Sequence, residues 1–251
     1  MKLNTLVSYL NCELQIDQFR DYCPNGLQVE GNSEVQRIVT GVTACQDLID
    51  AAVAYKADAI LVHHGYFWKG EPEAIVGIKK QRIQTLLQHG ISLLAYHLPL
   101  DGHPVFGNNV QLADVLDFEI TGPLDPNDKR VPGNVGRLSQ PMRAGELTEH
   151  IALRLNRIPQ HIGEEDDIIE TIAWCTGGAQ SYMQYAINQG IDAYLTGEIN
   201  EPSVHNARES GTHFYAAGHH ATERYGAKAL GEHLAQEFSL DVEYIDIDNP
   251  V

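Results

Sequence analysis

Residues 37–65 read RIVTGVTACQDLIDAAVAYKADAILVHHG, and 134 positions further on residues 171–199 read TIAWCTGGAQSYMQYAINQGIDAYLTGEI. Aligned without gaps, the two stretches share Ile38/Ile172, Gln46/Gln180, Ala52/Ala186, Asp58/Asp192, Ala59/Ala193 and Leu61/Leu195, six positions in 29. Six identities carry little alone; the shared order of elements carries more. In each copy a β-rich run precedes a helical stripe, Leu48, Ile49, Ala52 and Val53 in the first and Met183, Ala186 and Ile187 before Gly190 in the second. A second strand follows, Ala59–Val62 or Ala193–Thr196. Then comes a helix closed by glycine, with Ile83, Leu86 and Leu87 before Gly90, or Pro202 to Ala207 before Gly211. Pro202 suits a first helical turn, where its missing N–H costs nothing. Third strands complete the copies at Ile91–Tyr96 and His213–Ala217. This rhythm predicts parallel α/β units with right-handed crossovers. Any two βαβ units share it, so internal duplication stands beside chance likeness. The polar, Gly/Pro-rich stretch Pro123–Gly136 (PLDPNDKRVPGNVG) is the expected boundary, giving similar halves at 1–125 and 126–251.

Composition narrows the class. With 251 residues, 43% hydrophobic and 20% charged, the chain can bury one large core or two small ones. That excludes a disulfide miniprotein, a collagen-like repeat and a disordered tail. Seventeen Lys and Arg against 34 Asp and Glu give a net charge of −17, which argues against nucleic-acid partners, because duplex binding depends on cationic side chains releasing phosphate counterions. The start, MKLNTLVSYLNCELQ, has no apolar core of a secretory signal. No run approaches the roughly 18 apolar residues of a membrane span, so no membrane partner is expected. Cys12, Cys23, Cys45 and Cys175 are scattered, which predicts reduced thiols in a cytoplasmic setting and no structural zinc site. The compositional oddity is the 12 histidines, several of them clustered.

The clusters fall where open α/β sheets gather ligands, just past the carboxyl ends of strands. Ala59–Val62 runs into His63-His64-Gly65, Ile91–Tyr96 into His97-Leu98-Pro99-Leu100-Asp101, Tyr194–Thr196 into Gly197-Glu198, and Phe214–Ala217 into Gly218-His219-His220-Ala221-Thr222-Glu223. Imidazoles mixed with carboxylates suit Zn, Mn, Fe or Ni rather than Mg or Ca. His63 and His64 are adjacent, so they are expected to point apart and reach two metals. More candidates are present than the three ligands of a single catalytic ion, which favours two divalent cations per subunit with a bridging carboxylate or water. Glu223 is the bridging candidate, one helical turn from His219 (i+4) and within reach of His220 (i+3), so spacing leaves the two histidines open. Lone histidines such as His89, His150, His161 and His233 read as surface or capping residues. Gly177-Gly178 reads as a tight turn, with phosphate approach as the alternative. Asn25 reads as a turn residue, with contact at the site as the alternative. Tyr66, Phe67 and Trp68 offer flat faces for a nucleobase or a subunit contact.

Pro24-Asn25-Gly26-Leu27-Gln28-Val29, His63-His64-Gly65-Tyr66-Phe67-Trp68, His97-x3-Asp101, Thr196-Gly197-Glu198 and Gly218-His219-His220-x2-Glu223 together resemble the Nif-three-like family, also labelled GTP cyclohydrolase I type two homologues, along nearly the whole chain. The resemblance implies two interlinked α/β halves, a C-terminal segment returning to a shared cleft, a dinuclear metal centre and a homohexameric ring. Residue by residue it implies His63, His64, Asp101, His219 and Glu223 as metal ligands, selecting His219 over His220. It places His97 at the site, as ligand or as support for one. This chain has HHG followed by three aromatics where many members have HHP and an aliphatic pair, a difference in the pocket wall.

The expected function is a dinuclear metal-dependent hydrolase, with Glu198 and His97 as the acid–base residues. The resemblance implies a nucleotide or purine-like small molecule as substrate. The alternative is a metal-loaded ring that binds or scaffolds a partner without turnover.

Overall fold

The computed structural model describes residues 1–128 and 130–251; Lys129, inside the Pro123–Gly136 stretch, lies outside the described residues. In chain order the strands are β1 (Gly26–Val29), β2 (Arg37–Thr43), β3 (Ala59–His64), β4 (Ser92–Ala95), β5 (Phe118–Pro123), β6 (Asn134–Arg143), β7 (Gln160–Ile162), β8 (Ile168–Trp174), β9 (Ala193–Thr196), β10 (His213–Ala216) and β11 (Asp241–Tyr244). The chain divides into two compact units, Met1–Phe106 with Gly226–Asp248, and Gly107–Tyr225 with Asn249–Val251. The crossings therefore fall at 106/107 and 225/226. Pro123–Gly136 instead connects β5 to its antiparallel neighbour β6, and a hairpin turn and a linker use the same Gly, Pro and Asn.

The first unit holds one sheet in the order β1-β4-β3-β2-β11, parallel except where β1 joins β4. Side chains alternate across a strand, and β3 shows the consequence. Ala59 and Leu61 face Leu3, Leu6 and Leu10 of the helix Leu3–Glu13 and Leu230 and Leu234 of the helix Arg224–Phe238. Ile60 and Val62 face Leu48, Ile49 and Ala52 of the helix Gln46–Tyr55 and Ile83 and Leu86 of the helix Gly77–His89. Both faces are covered, as an almost unbroken apolar run in a parallel strand requires.

The second unit repeats the plan in a sheet ordered β5-β6-β8-β9-β10-β7, whose parallel centre is β8-β9-β10. Ile172, Trp174 and Leu195 meet Leu147, Ile151 and Leu155 of the helix Ala144–Leu155. On the other face Ala173, Tyr194 and Phe214 meet Met183 and Ala186 of the helix Met183–Gln189 and Ala207 of the helix Glu201–Ser210. Asn200 starts that last helix by accepting the Ser203 N–H, and Gly211 ends it.

The two halves agree in register as well as in order. Ile38 pairs with Ala59 and Thr40 with Leu61; the residues 134 further on, Ile172 with Ala193 and Trp174 with Leu195, pair identically. Asp58 explains one of the six identities. Its Oδ2 accepts the backbone N–H of Gln36 (2.9 Å) and Arg37 (2.8 Å), closing the start of β2. Asp192 Oδ2 accepts from Glu170 N (3.1 Å) and Thr171 N (2.8 Å) at the start of the equivalent β8. The shared aspartate is thus a shared clamp between the first two strands of each copy, which favours duplication over chance likeness.

Asp58→Ala and Asp192→Ala each remove a charged acceptor for two N–H groups at a half-exposed position. Each is expected to cost about 1–2 kcal/mol of unfolding free energy, read by urea denaturation. Losses below about 0.5 kcal/mol in both variants would remove the clamp from the account of the fold.

Candidate metal centre

In the first unit, His63 and His64 are the last two residues of β3 rather than the first two beyond it. His63 is fully buried, and its Nδ1 lies 3.0 Å from the carbonyl oxygen of Tyr96. A carbonyl only accepts, so Nδ1 carries the proton and Nε2 the lone pair. His64 Nδ1 lies 3.2 Å from the Thr43 hydroxyl on the neighbouring strand. The two rings converge, with centroids 4.5 Å apart, contrary to the expectation that neighbours in an extended chain point away from one another. The strand is at its end here, and each ring is pulled over by its own Nδ1 partner.

His97 follows β4, and its Nδ1 donates to Asp21 Oδ1 at 2.7 Å. Its backbone N–H donates to Asn25 Oδ1, and Asn25 in turn donates to Asp21 Oδ2. Burial raises the Asp21 pKa, but hydrogen bonds and charge from His97, then Asn25 and Tyr22 N, outweigh it and hold the carboxyl at about 2. Asp101 closes the short helix Leu98–Asp101 that begins next to His97, so the x3 spacing brings both residues to one turn. Asp101 Oδ1 lies 3.5 Å from His63 Nε2. His63, His64 and His97 each offer a ligand atom within 4.8 Å of the others. Asp21, Cys23 and His97 form a second such group, yet burial, then the Asp21 charge, pushes the Cys23 thiol up to about 12 and disfavours a thiolate ligand.

In the second unit, β10 leads through Ala217 and Gly218 into the short helix His219–Thr222. His219 Nε2 lies 3.1 Å from Glu223 Oε2, and its Nδ1 lies 2.7 Å from Glu198 Oε1. Burial lowers the His219 pKa, but Glu223 and then Glu198 overcome it and raise the imidazole to about 9. Glu198 therefore braces His219. Glu223 is 2% exposed, and its room is made by Gly177: a Cβ there would stand 2.0 Å from Glu223 Oε1. Gly177 has φ +68, and its N–H donates to Thr222 Oγ1. The Gly177-Gly178 turn thus seats a carboxylate, beyond its reading as a bare turn.

The first unit brings together His63, His64, His97 and Asp101; the second brings together Glu198, His219 and Glu223. The imidazoles and carboxylates gathered within each unit are borderline and hard donors that fit a divalent transition metal. Asp21, Asn25, Thr43 and the Tyr96 carbonyl were missed as supports. Asn25 alone left a trace in the sequence, through its alternative reading. Tyr66, read as a flat face for a nucleobase or a subunit contact, is buried, and its hydroxyl donates to Ala44 O. Trp68 instead stands edge-on to His97, with ring centroids 5.0 Å apart.

The profile of Duf34/NIF3 (NGG1p interacting factor 3) matches residues 1–250. The chain belongs to this family. It is 54% identical over 248 residues to a "GTP cyclohydrolase 1 type 2 homolog" of Pseudomonas aeruginosa, covering 99% of this chain and 98% of that one. A protein of the same description from Vibrio cholerae is also 54% identical, covering 98% of each. Among solved Duf34/NIF3-like structures, protein ybgI, described as of unknown function, superposes with a TM-score of 0.95 at 49% identity over 100% of both chains. TTHA1606 from Thermus thermophilus does so with 0.89 at 33% identity, again over 100% of both. These likenesses fix the two-sheet α/β fold of this Duf34/NIF3 chain.

Gly177→Ala would force a side chain into left-handed backbone and against Glu223. It is expected to lower stability by about 1–3 kcal/mol in chemical denaturation, and an unchanged midpoint would contradict the packing described.

Proposed function

We propose that the chain is a dinuclear metal-dependent hydrolase acting on a nucleotide or purine-like substrate. In this reading His63, His64 and Asp101 of the first unit and His219 and Glu223 of the second hold two divalent cations, Zn, Mn, Fe or Ni. The observation that carries the reading is the common anchoring of the four imidazoles. His63, His64, His97 and His219 all have a partner at Nδ1, and for His63 and His97 that partner only accepts, which leaves Nε2 as the donor nitrogen. When bound, such ions lower the pKa of a coordinated water and polarise the bond to be cleaved.

The chain's own residues supply the rest. His97, fixed by Asp21, presents a lone pair that can take a proton from the attacking water and return it to the leaving group. Glu198, with 40% of its side chain exposed, is the second proton-transfer group and keeps His219 in one orientation. Tyr22 is 60% exposed and its ring centroid lies 6.4 Å from that of His97. With Trp68 it offers aromatic surface to a purine. The description carried by the relatives, GTP cyclohydrolase 1 type 2 homolog, agrees with such a substrate.

The second reading, a metal-loaded scaffold without turnover, draws on the family description as an interacting factor and on exposed Ile75, Val76 and Ile78. These apolar residues also support a closed homo-oligomer, for which the ring of six is the proposed form. Light scattering is expected to show an assembly, and a single species of one chain's mass would overturn it.

Metal analysis followed by incubation with GTP, GMP and guanosine tests the hydrolase. Metal-dependent conversion, lost with chelator and restored by Zn or Mn, is expected. Fully loaded protein that leaves every nucleotide intact favours the scaffold. Glu223→Ala is expected to lose more bound metal than His97→Ala, since a bridging carboxylate serves both ions; equal contents reject that ranking.

A further inference from the structure

The second unit contains a cavity of 530 Å³ lined by His161, Glu164, Asp167, Arg208, Thr212 and His213, among others. His213 opens β10, so the cavity lies at the opposite end of that strand from the side that leads to His219. None of its residues belongs to the metal centre. Its volume falls within the ordinary range for small-molecule sites.

The lining is built rather than incidental. His213 is 5% exposed, and its Nε2 lies 3.3 Å from Asp167 Oδ2. The contact is an ion-pair distance to a carboxylate whose side chain is 61% exposed. His161 Nε2 faces His213 Nδ1 at 3.0 Å, with ring planes 8° apart and centroids separated by 5.3 Å. The two nitrogens therefore meet head-on, as in an N–H···N bond, and two metal–nitrogen bonds of about 2.0–2.1 Å would not fit on that line. The tautomers of the two rings set which nitrogen donates in this bond. Burial, then His213, lowers the His161 pKa to about 4, so the ring is neutral near pH 7. Gly163 makes the arrangement possible: with φ +149 it carries no Cβ, which would lie 2.2 Å from His213 Nδ1.

The charges around this histidine pair are mixed. Arg130, Arg143 and Arg154 of the same unit each pair with an aspartate, whereas Arg208, like Arg137 and Arg157, has no ion pair among the described residues. Among those residues Glu164 likewise has none. A simple anion would meet Arg208 but be repelled by Glu164 and Asp167. A simple cation would meet the carboxylates but be repelled by Arg208. We propose that the cavity binds a free α-amino acid, its carboxylate paired with Arg208 and its ammonium donating to Glu164 beside the His161 ring.

The test uses intact protein labelled with ¹⁵N-histidine and three probes. Glycine carries only the two charged groups common to α-amino acids; acetate and methylamine carry one each. Glycine is expected to shift the His161 and His213 ring nitrogens saturably, with acetate and methylamine at least about tenfold weaker. Arg208→Ala and Glu164→Gln, both at exposed positions, should each weaken glycine by about tenfold with unchanged thermal midpoints. No saturable shift from glycine at tens of millimolar overturns the proposal. So does an equal response to acetate or methylamine, or an unchanged response in both variants.

Discussion

Four imidazoles are fixed through the same ring nitrogen, and the chemistry available to this chain depends on that constraint. A histidine with a free ring has two tautomers and a rotating donor. Here the Tyr96 carbonyl and the Asp21 carboxylate can only accept, so they decide where the protons of His63 and His97 sit, whereas His219 meets a carboxylate at each nitrogen. Fixing them needs partners on neighbouring strands or on loops pinned to strand ends. The parallel sheets provide these by bringing β2, β3 and β4 to a common carboxyl edge in one unit and β8, β9 and β10 in the other.

The duplicated plan has been put to two uses. The positions that follow Leu61-Val62 in the first copy are His63 and His64; at the same offset the second copy has Gly197 and Glu198. One strand end therefore presents imidazoles, while its counterpart presents a carboxylate that steadies an imidazole from the next strand. Asp58 and Asp192 have kept the same task, because clamping the start of a neighbouring strand is required by the register and is indifferent to the chemistry at the far end.

Strands, crossovers and the strand-end clusters were legible in the sequence because apolar periodicity and glycine stops are local signals. The supports were not. Asp21 acts on His97 from 76 residues away, and the Tyr96 carbonyl acts on His63 through a group every residue possesses. The convergence of His63 and His64 was misread because strand alternation is a rule for strand interiors, and these residues end one. The boundary expected at Pro123–Gly136 was a hairpin, since turn composition does not distinguish a connection within a sheet from one between units. His161, read as a lone surface or capping residue, lies beside His213, whose place at the start of the expected strand His213–Ala217 gave no hint of a partner across the sheet edge.

The first unit is assembled from two stretches of chain separated by Gly107–Tyr225, all but the last three residues of the second. Its strand β2 pairs on one side with β11, so Arg37 waits for Asp241. During synthesis the ribosome must deliver Gly107–Tyr225 before that edge is covered and before Leu230 and Leu234 reach the face built by Leu3, Leu6 and Leu10. The nascent chain thus carries an unpaired β edge and an apolar face for some 120 residues of elongation, of the order of ten seconds at ordinary translation rates. The second unit can close while still tethered, whereas the first is a late-maturing body. Codon usage, chaperone access and premature termination would bear on it far more heavily than on its inserted neighbour.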